Sequence, residues 1–312
     1  MNLDSWKGQP YNPISNFYGT HFGEKVYKIP VTTVDTCPNR EGLKGMETCI
    51  FCDVWGSAAN SESKELPLDT QIKKYKKIIG EKYKAKKFLV YFQAYTNSFD
   101  KIKAIKENFY RALDHEGVAG VVIGTRPDCI SPALLRLWQE IHEKSFVSVE
   151  LGAQSFRDDK LEYLKRGHNN AQTVKAIKRI RENTDVDLSL HFMFGLPNET
   201  REEIIEAAQI TADLGINSVK LHNLHVLKDT PLEKEYFAER FTPCTFEEYC
   251  EKVGDFLSHL PKEIYIHRLS ALASRWDELI APDWTRKKMA THQGIISYLN
   301  RHEIVQGCKL LT

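Results

Sequence analysis

Three cysteines, Cys37, Cys49 and Cys52, are separated by eleven and then two residues and stand just after the first predicted strand. Thiolates in such a run hold iron–sulfur clusters or zinc. Three thiolates are one ligand short of closing a [4Fe–4S] cluster. The missing ligand leaves one iron open to a substrate or cofactor, which favours catalysis over electron transfer or a purely structural role. A histidine joining the three would instead make a closed site, as in a zinc-binding, nucleic-acid-binding protein. Seven cysteines with three clustered argue against a disulfide framework. Cys129, Cys244, Cys250 and Cys308 are expected to be small buried hydrophobes.

The elements that must position these thiols follow a regular order. Apolar runs rich in β-branched and aromatic residues occur at 26–34, 88–92, 118–123, 146–151, 186–194 and 216–224, with helical patterns between them. Ser131–Pro132 and Thr200 with Glu203 mark helix starts. Six β/α units predict an α/β fold with a parallel sheet, a partial (βα)6 barrel rather than the closed barrel of eight. The run EIYIHRLS from Glu263 is a candidate seventh strand, and residues 285–304 a terminal helix covering one barrel mouth. Ligands of such sheets sit at the carboxyl ends of the strands. The polar stretches fall there: QAYTNSF from Gln93, GTRPD from Gly124, ELGAQSF from Glu150 and HFMFGLPNET from His191. His222 and His225, three apart on a strand, are expected on opposite faces, so at most one enters the lumen.

These motifs, with TCPNREG…CIFC, LKRGH and GLPNET, resemble the radical S-adenosylmethionine (SAM) superfamily, and more closely its YhcC/YtqA-type family. GTRPD and ELGAQS…RGH also resemble the radical SAM domain of the elongator catalytic subunit. The resemblance implies a partial (βα)6 radical SAM barrel at residues 23–244, after an N-terminal extension at 1–22 and before a C-terminal α/β extension at 245–312 that covers the barrel. It implies a [4Fe–4S] cluster on Cys37, Cys49 and Cys52, SAM on the open iron, and a 5′-deoxyadenosyl radical produced by one-electron reduction. A low-potential electron implies a flavodoxin or ferredoxin.

By the same resemblance Phe51 packs beside the adenosyl group or anchors the loop, and Gln93 to Thr96 take the place of the glycine-rich loop that contacts the SAM amino group. Thr125 stands where coproporphyrinogen-dehydrogenase-type enzymes carry a carboxylate. Glu150 and Gln154 are candidates for ribose and amino-acid contacts, and Arg166 for the SAM carboxylate, which a bidentate guanidinium suits. His191 replaces an aspartate; it could hydrogen-bond SAM, act as acid or base on substrate, or be a satisfied interior residue.

The resemblance suggests tRNA as partner: removal of the carboxymethyl group from 5-carboxymethylaminomethyluridine at the wobble position, leaving an aminomethyl group. A radical on the carbon between nitrogen and carboxylate would be stabilised by both neighbours. A peptide or small metabolite is the alternative substrate. Net charge is +1, so attraction to a polyanion must come from local patches. Residues 73–87 carry eight lysines against Glu81 and read as a basic helix, either a phosphate contact or a solvated face. Arg268, Arg275, Arg286, Lys287 and Lys288 pose the same choice. The chain has no run of about 20 apolar residues and no signal-peptide pattern, which predicts a cytoplasmic protein without a membrane span.

Overall fold

The structure, a computed structural model, describes residue 6 and residues 8–56, 65–273 and 277–310. Helix α1 (Ile14–Phe22) leads into β1 (Val26–Val31). The chain then runs α2 (Leu68–Tyr83), β2 (Lys87–Phe92), α3 (Ile102–Leu113), β3 (Val118–Thr125), α4 (Pro132–His142), β4 (Phe146–Gln154), α5 (Asp158–Tyr163), α6 (Asn170–Asn183) and β5 (Asp187–Phe194). It continues through α7 (Arg201–Asp213), β6 (Ser218–Asn223), β7 (Val226–Leu227), α8 (Pro231–Phe237), α9 (Phe246–Ser258), β8 (Tyr265–Ile266), β9 (Leu279–Ala281) and α10 (Lys288–Arg301). Seven strands pair in parallel in the order β1-β2-β3-β4-β5-β6-β8. Every crossover between β1 and β6 steps to the next strand in the same direction. Crossovers of one hand therefore place their helices on one face, and the sheet curls about the other as a half-barrel.

All six expected strands are present, with shifted ends. β1 stops at Val31 because its partner β2 ends opposite it, at Phe92. The Gln71 side chain then takes over from the ladder, accepting from Thr32 N at 2.9 Å and donating to Thr32 O at 2.8 Å. β4 runs three residues further than the apolar pattern, through a register shift before Gln154. The seventh strand is only Tyr265–Ile266, paired with β6. Ser131 caps α4 and Thr200–Glu203 forms a capping box on α7. Unforeseen boxes at Asn169–Gln172 and Thr245–Glu248 start α6 and α9. Such a cap stabilises by about 1 kcal/mol.

The main core lies between sheet and helices, around Trp138, Phe109, Phe192 and Phe256. A second apolar layer fills the amino end of the lumen: Leu89, Tyr91, Val122 and Phe146 from the strands meet Ile14, Phe17, Tyr18 and Phe22 of α1. The rings of Phe17, His21 and Phe22 lie 5.2–5.9 Å from Phe146. Gly23, at φ 72°, ends α1 in a left-handed turn that returns the chain into β1. Just before α1, Pro13 bridges to Ile266 and so extends the β8 edge. The segment that closes a mouth is thus N-terminal. The terminal helix α10, expected over the barrel, instead sends Ile295, Ile296 and Leu299 into the outer core and packs on α9. Cys250 is buried, whereas Cys129 and Cys244 are half-buried and Cys308 is exposed, so the last is no core residue.

Candidate active site

The three cysteines occupy the long connection between β1 and α2, at the carboxyl rim of the sheet. Asn39, almost fully buried, ties this connection down: its amide donates to Glu47 O and Lys165 O at 2.6 Å each, and its oxygen accepts from Arg126 Nη1. Arg126, in the GTRPD turn after β3, forks onto both Asp128 oxygens at 2.9 Å and donates to Arg166 O. The turn is therefore a brace between the cysteine loop and the arginine after α5. Neither Arg126 nor Asp128 had been assigned a role, although the TRPD motif was the visible signal.

Cys37, Cys49 and Cys52 line one cavity together. Arg40 Nη2 lies 3.3 Å from Cys52 Sγ and Arg166 Nη1 3.4 Å from Cys49 Sγ. Burial, with Cys49 alongside, pushes the Cys52 thiol up to about 12, so metal binding must displace a proton there. Among the described residues no three His, Cys, Asp or Glu side chains form a group able to hold a single metal ion. Three thiols on one cavity wall could each take a different iron of a multi-iron cluster, and the two arginines supply N–H donors of the kind that tune such clusters.

Every residue expected to contact SAM or substrate lines this same cavity: Phe51, Gln93, Thr96, Thr125, Glu150, Gln154, Arg166 and His191. The loop after β2 is held by Asn97, whose amide donates to Phe92 O and Ala94 O. Gln154 adopts φ 67°, and a Cβ at Gly152 would crowd the side-chain ends of Gln154, at 2.9 Å from Nε2, and Arg166, at 3.1 Å from Nη2, so the glycine lets both sit where they do. Arg166 donates to Gly152 O at 3.2 Å and lies over the Phe51 ring, while its Nε is buried without a partner. A glycine-lined wall, an unfilled guanidinium N–H and buried hydroxyls fit a polar cofactor carrying a carboxylate.

Deeper in the lumen, Glu150 is fully buried and engaged by four donors. Lys28 reaches Oε1, while Oε2 accepts from Tyr91 Oη at 2.6 Å, His191 Nε2 at 2.7 Å and Lys220 Nζ at 2.7 Å. Burial alone would raise this carboxyl, but Lys220, Lys28 and His191 hold it well below the carboxylate range. Its oxygens are occupied, so Glu150 acts on a ligand through its partners. An ionised carboxylate only accepts, which puts the His191 proton on Nε2 and leaves Nδ1 as the acceptor nitrogen. Burial, reinforced by Lys220, pulls His191 down to about 4, so it is neutral near pH 7. Lys28, Tyr91 and Lys220 were missed. The available signal was a lone lysine inside each of the apolar strands VYKIPV and SVKLHN.

Two expectations change with position. His222 and His225 both line the cavity, because β6 ends at Asn223 and strand alternation stops there. Arg268 also lies in the lumen beside His222 and is withdrawn from any outer phosphate surface. Arg275 lies outside the described residues, and Arg286 pairs with Asp283. The lysine run does not gather at the carboxyl rim: α2 descends from the end of β1 to the start of β2, where Lys87 binds Phe22 O and Glu24 at the amino end. No helix among the described residues is long and apolar enough to cross a membrane.

The buried histidines predict acid sensitivity. Burial holds His168 and His225 at about 3 and His191 at about 4, with His222 and His267 well below their ordinary value. The unfolded chain takes up these protons near pH 6.5 while the folded one does not, so stability is fully present above about 6.5 and falls as pH drops toward 4. The limiting slope is about 1.4 kcal/mol per pH unit for each histidine. Urea midpoints under argon should be lower at pH 5.0 than at 7.5; equal midpoints would contradict the buried neutral state.

Comparison with known proteins agrees with this geometry. The profile of the Radical SAM superfamily matches residues 31–210, and that of the Radical_SAM C-terminal domain residues 216–301. Protein YhcC of Escherichia coli K12 is 31% identical over 290 residues, 93% of this chain and 92% of that protein. A tRNA uridine(34) acetyltransferase of Methanocaldococcus jannaschii is 26% identical over 219 residues, 68% of this chain but 37% of its own length. Among solved structures, Methanocaldococcus infernus Elp3 with an N-terminal deletion superposes with a TM-score of 0.69 at 19% identity, over 90% of this chain and 64% of that one, a likeness of fold. The superfamily match overturns the closed zinc site.

Proposed function

The chain belongs to the radical SAM superfamily, and from that premise we propose that it modifies tRNA at the wobble uridine, converting carboxymethylaminomethyluridine to aminomethyluridine. A hydrogen atom is taken from the carbon between nitrogen and carboxylate, a second electron leaves that carbon to give an imine, and water splits the C–N bond so that the two carbons depart as glyoxylate, with SAM as the net two-electron oxidant. Proteins of this superfamily bind a [4Fe–4S] cluster and SAM, which together supply a 5′-deoxyadenosyl radical when reduced. In this reading Cys37, Cys49 and Cys52 hold the cluster, with Arg40 and Arg166 bonded to two of their sulfurs. Phe51, Gln93, Thr96, Thr125, Gln154 and Arg166 surround SAM at the rim. Glu150 is a positioning residue: it fixes His191, Lys220 and Tyr91 around the space beneath. His191 keeps Nδ1 available to accept a proton there, and the α1 plug keeps water from entering below. A flavodoxin or ferredoxin supplies the electron.

The observation that carries the tRNA reading is the match, over two thirds of this chain, to a protein named for acting on tRNA uridine 34. Its test is the nucleoside profile of a strain lacking the protein. Mass spectrometry of digested tRNA should show carboxymethylaminomethyluridine accumulating and aminomethyl derivatives lost. An unchanged profile would reject tRNA and leave a peptide or small metabolite as substrate.

A further inference from the structure

The lumen beneath the cysteines contains more cations than anions. Lys220 and Arg268 line it, Lys28 stands behind Glu150, and the ionised carboxylate among them is Glu150, already bonded to both lysines. Asp187 does not restore balance: it is bonded to Ser148 Oγ at 2.6 Å, and burial raises it toward the neutral form. Arg268 has no carboxylate within ion-pair distance among the described residues. Its Nη2 stands 2.8 and 2.9 Å from the ring nitrogens of His222, which burial and Arg268 itself keep neutral. Its Nε is buried with no partner, as are Asn223 Nδ2 and His225 Nε2 on the same cavity wall. Buried polar groups are almost always satisfied, and a buried guanidinium without a counter-charge is costly. Three such unpartnered nitrogens, on residues that line one cavity, mark a place for a ligand.

We propose that Arg268 and Lys220, with Asn223 and His225, form a subsite for a carboxylate of the substrate. The subsite rests on the radical SAM reading of the cavity and deepens the wobble-uridine reading, whose modified side chain ends in a carboxylate. A guanidinium fork matches a planar carboxylate, and the ammonium of Lys220 adds a second charge-assisted bond. The α1 plug closes the lumen just below, so only a terminal group reaches these cations and a chain-internal phosphate does not. Burial, with Arg268 and Lys28 nearby, brings Lys220 down to about 7 despite Glu150; an arriving anion favours its charged form. A carboxylate anchored here would hold the carbon next to it in one position under the SAM site.

The test uses the full chain, loaded with its cluster under anaerobic conditions and saturated with SAM. N-acetylglycine and its neutral counterpart N-acetylglycinamide are titrated calorimetrically. The carboxylate should bind at least about tenfold more tightly than the amide, and Arg268→Gln or Lys220→Met should remove about that factor, the worth of one charged hydrogen bond. Arg268→Lys, which keeps the charge, should retain part of it. Equal binding of acid and amide, no binding of either, or unaltered affinity in Arg268→Gln would overturn the subsite. So would a parallel tenfold loss of SAM affinity, which would give these cations to the carboxylate of SAM. Should Lys220→Met fail to fold, Arg268→Gln carries the test, because Arg268 belongs to no ion pair among the described residues. Carboxylate binding retained alongside an unchanged tRNA profile would keep the subsite and reject the tRNA reading.

Discussion

Replacing Cys49 by Ala is expected to leave a folded, colourless protein that cannot cleave SAM. Cys49 is 5% exposed and sits in a turn where Cys52 N donates to Cys49 O, and neither bond nor backbone depends on its sulfur. Its thiol is bonded to Arg166, itself at the SAM-facing wall. In the proposed site, loss of the thiolate removes one of three cluster ligands and detaches the cluster from the cofactor site. Supporting partners of a metal site alone cost about 10–100-fold when removed, so loss of a ligand should cost more than about 100-fold. Anaerobic reconstitution followed by iron analysis and chromatography of 5′-deoxyadenosine measures it. Retention of four irons and of cleavage would remove Cys49 from the site. Cys250→Ala is the control: Cys250 is buried in the outer core and should affect stability while iron binding persists.

Glu150→Gln should produce the largest loss of stability among single lumen changes. The amide removes the negative charge shared by Lys28 and Lys220 and turns an N–H₂ group toward donors that need an acceptor. Breaking a buried ion pair from one side costs about 3–5 kcal/mol because the remaining charge is left uncompensated. For a chain of this size that corresponds to a fall in Tm on the order of 5–10 °C. Adding Lys220→Met should recover part of the loss, since the two residues form one network and their effects do not add. A Tm within a degree of wild type for Glu150→Gln would mean that the lysines are neutral and the network is not ionic.

The sites at the rim were legible because each lies in a contiguous motif. Cys37, Cys49 and Cys52, Gln154 and Arg166 come from TCPNREG…CIFC, ELGAQSF and LKRGH, and a run of polar residues after a strand announces the ligand end of a parallel sheet. Lys28, Tyr91, Lys220 and Arg268 have no such context. Each is one side chain in an apolar stretch, on four different segments between residues 28 and 268. Glu150 was visible, but its role changed from a ligand contact to the hub that holds those donors. Arg268 was visible too, and was assigned to the outside because a positive charge near an unassigned terminus carries no sign of which way it faces.

The six β/α units, their parallel connection and the clustering of the three candidate cluster cysteines are set by the sequence alone, because periodicity, capping and short-range spacing act within a few turns of chain. What lies inside the half-barrel was decided by the tertiary structure. The curl of the sheet brings Lys28, Glu150 and Lys220 together from β1, β4 and β6, and only that closure makes a buried carboxylate and its cations neighbours. The same closure leaves Arg268 with an unpartnered Nε and no carboxylate within ion-pair distance among the described residues, and it allows α1 to seal the lumen. Electrostatic balance in a buried space depends on every charge within a few ångströms, and distance through space is what a linear chain does not state.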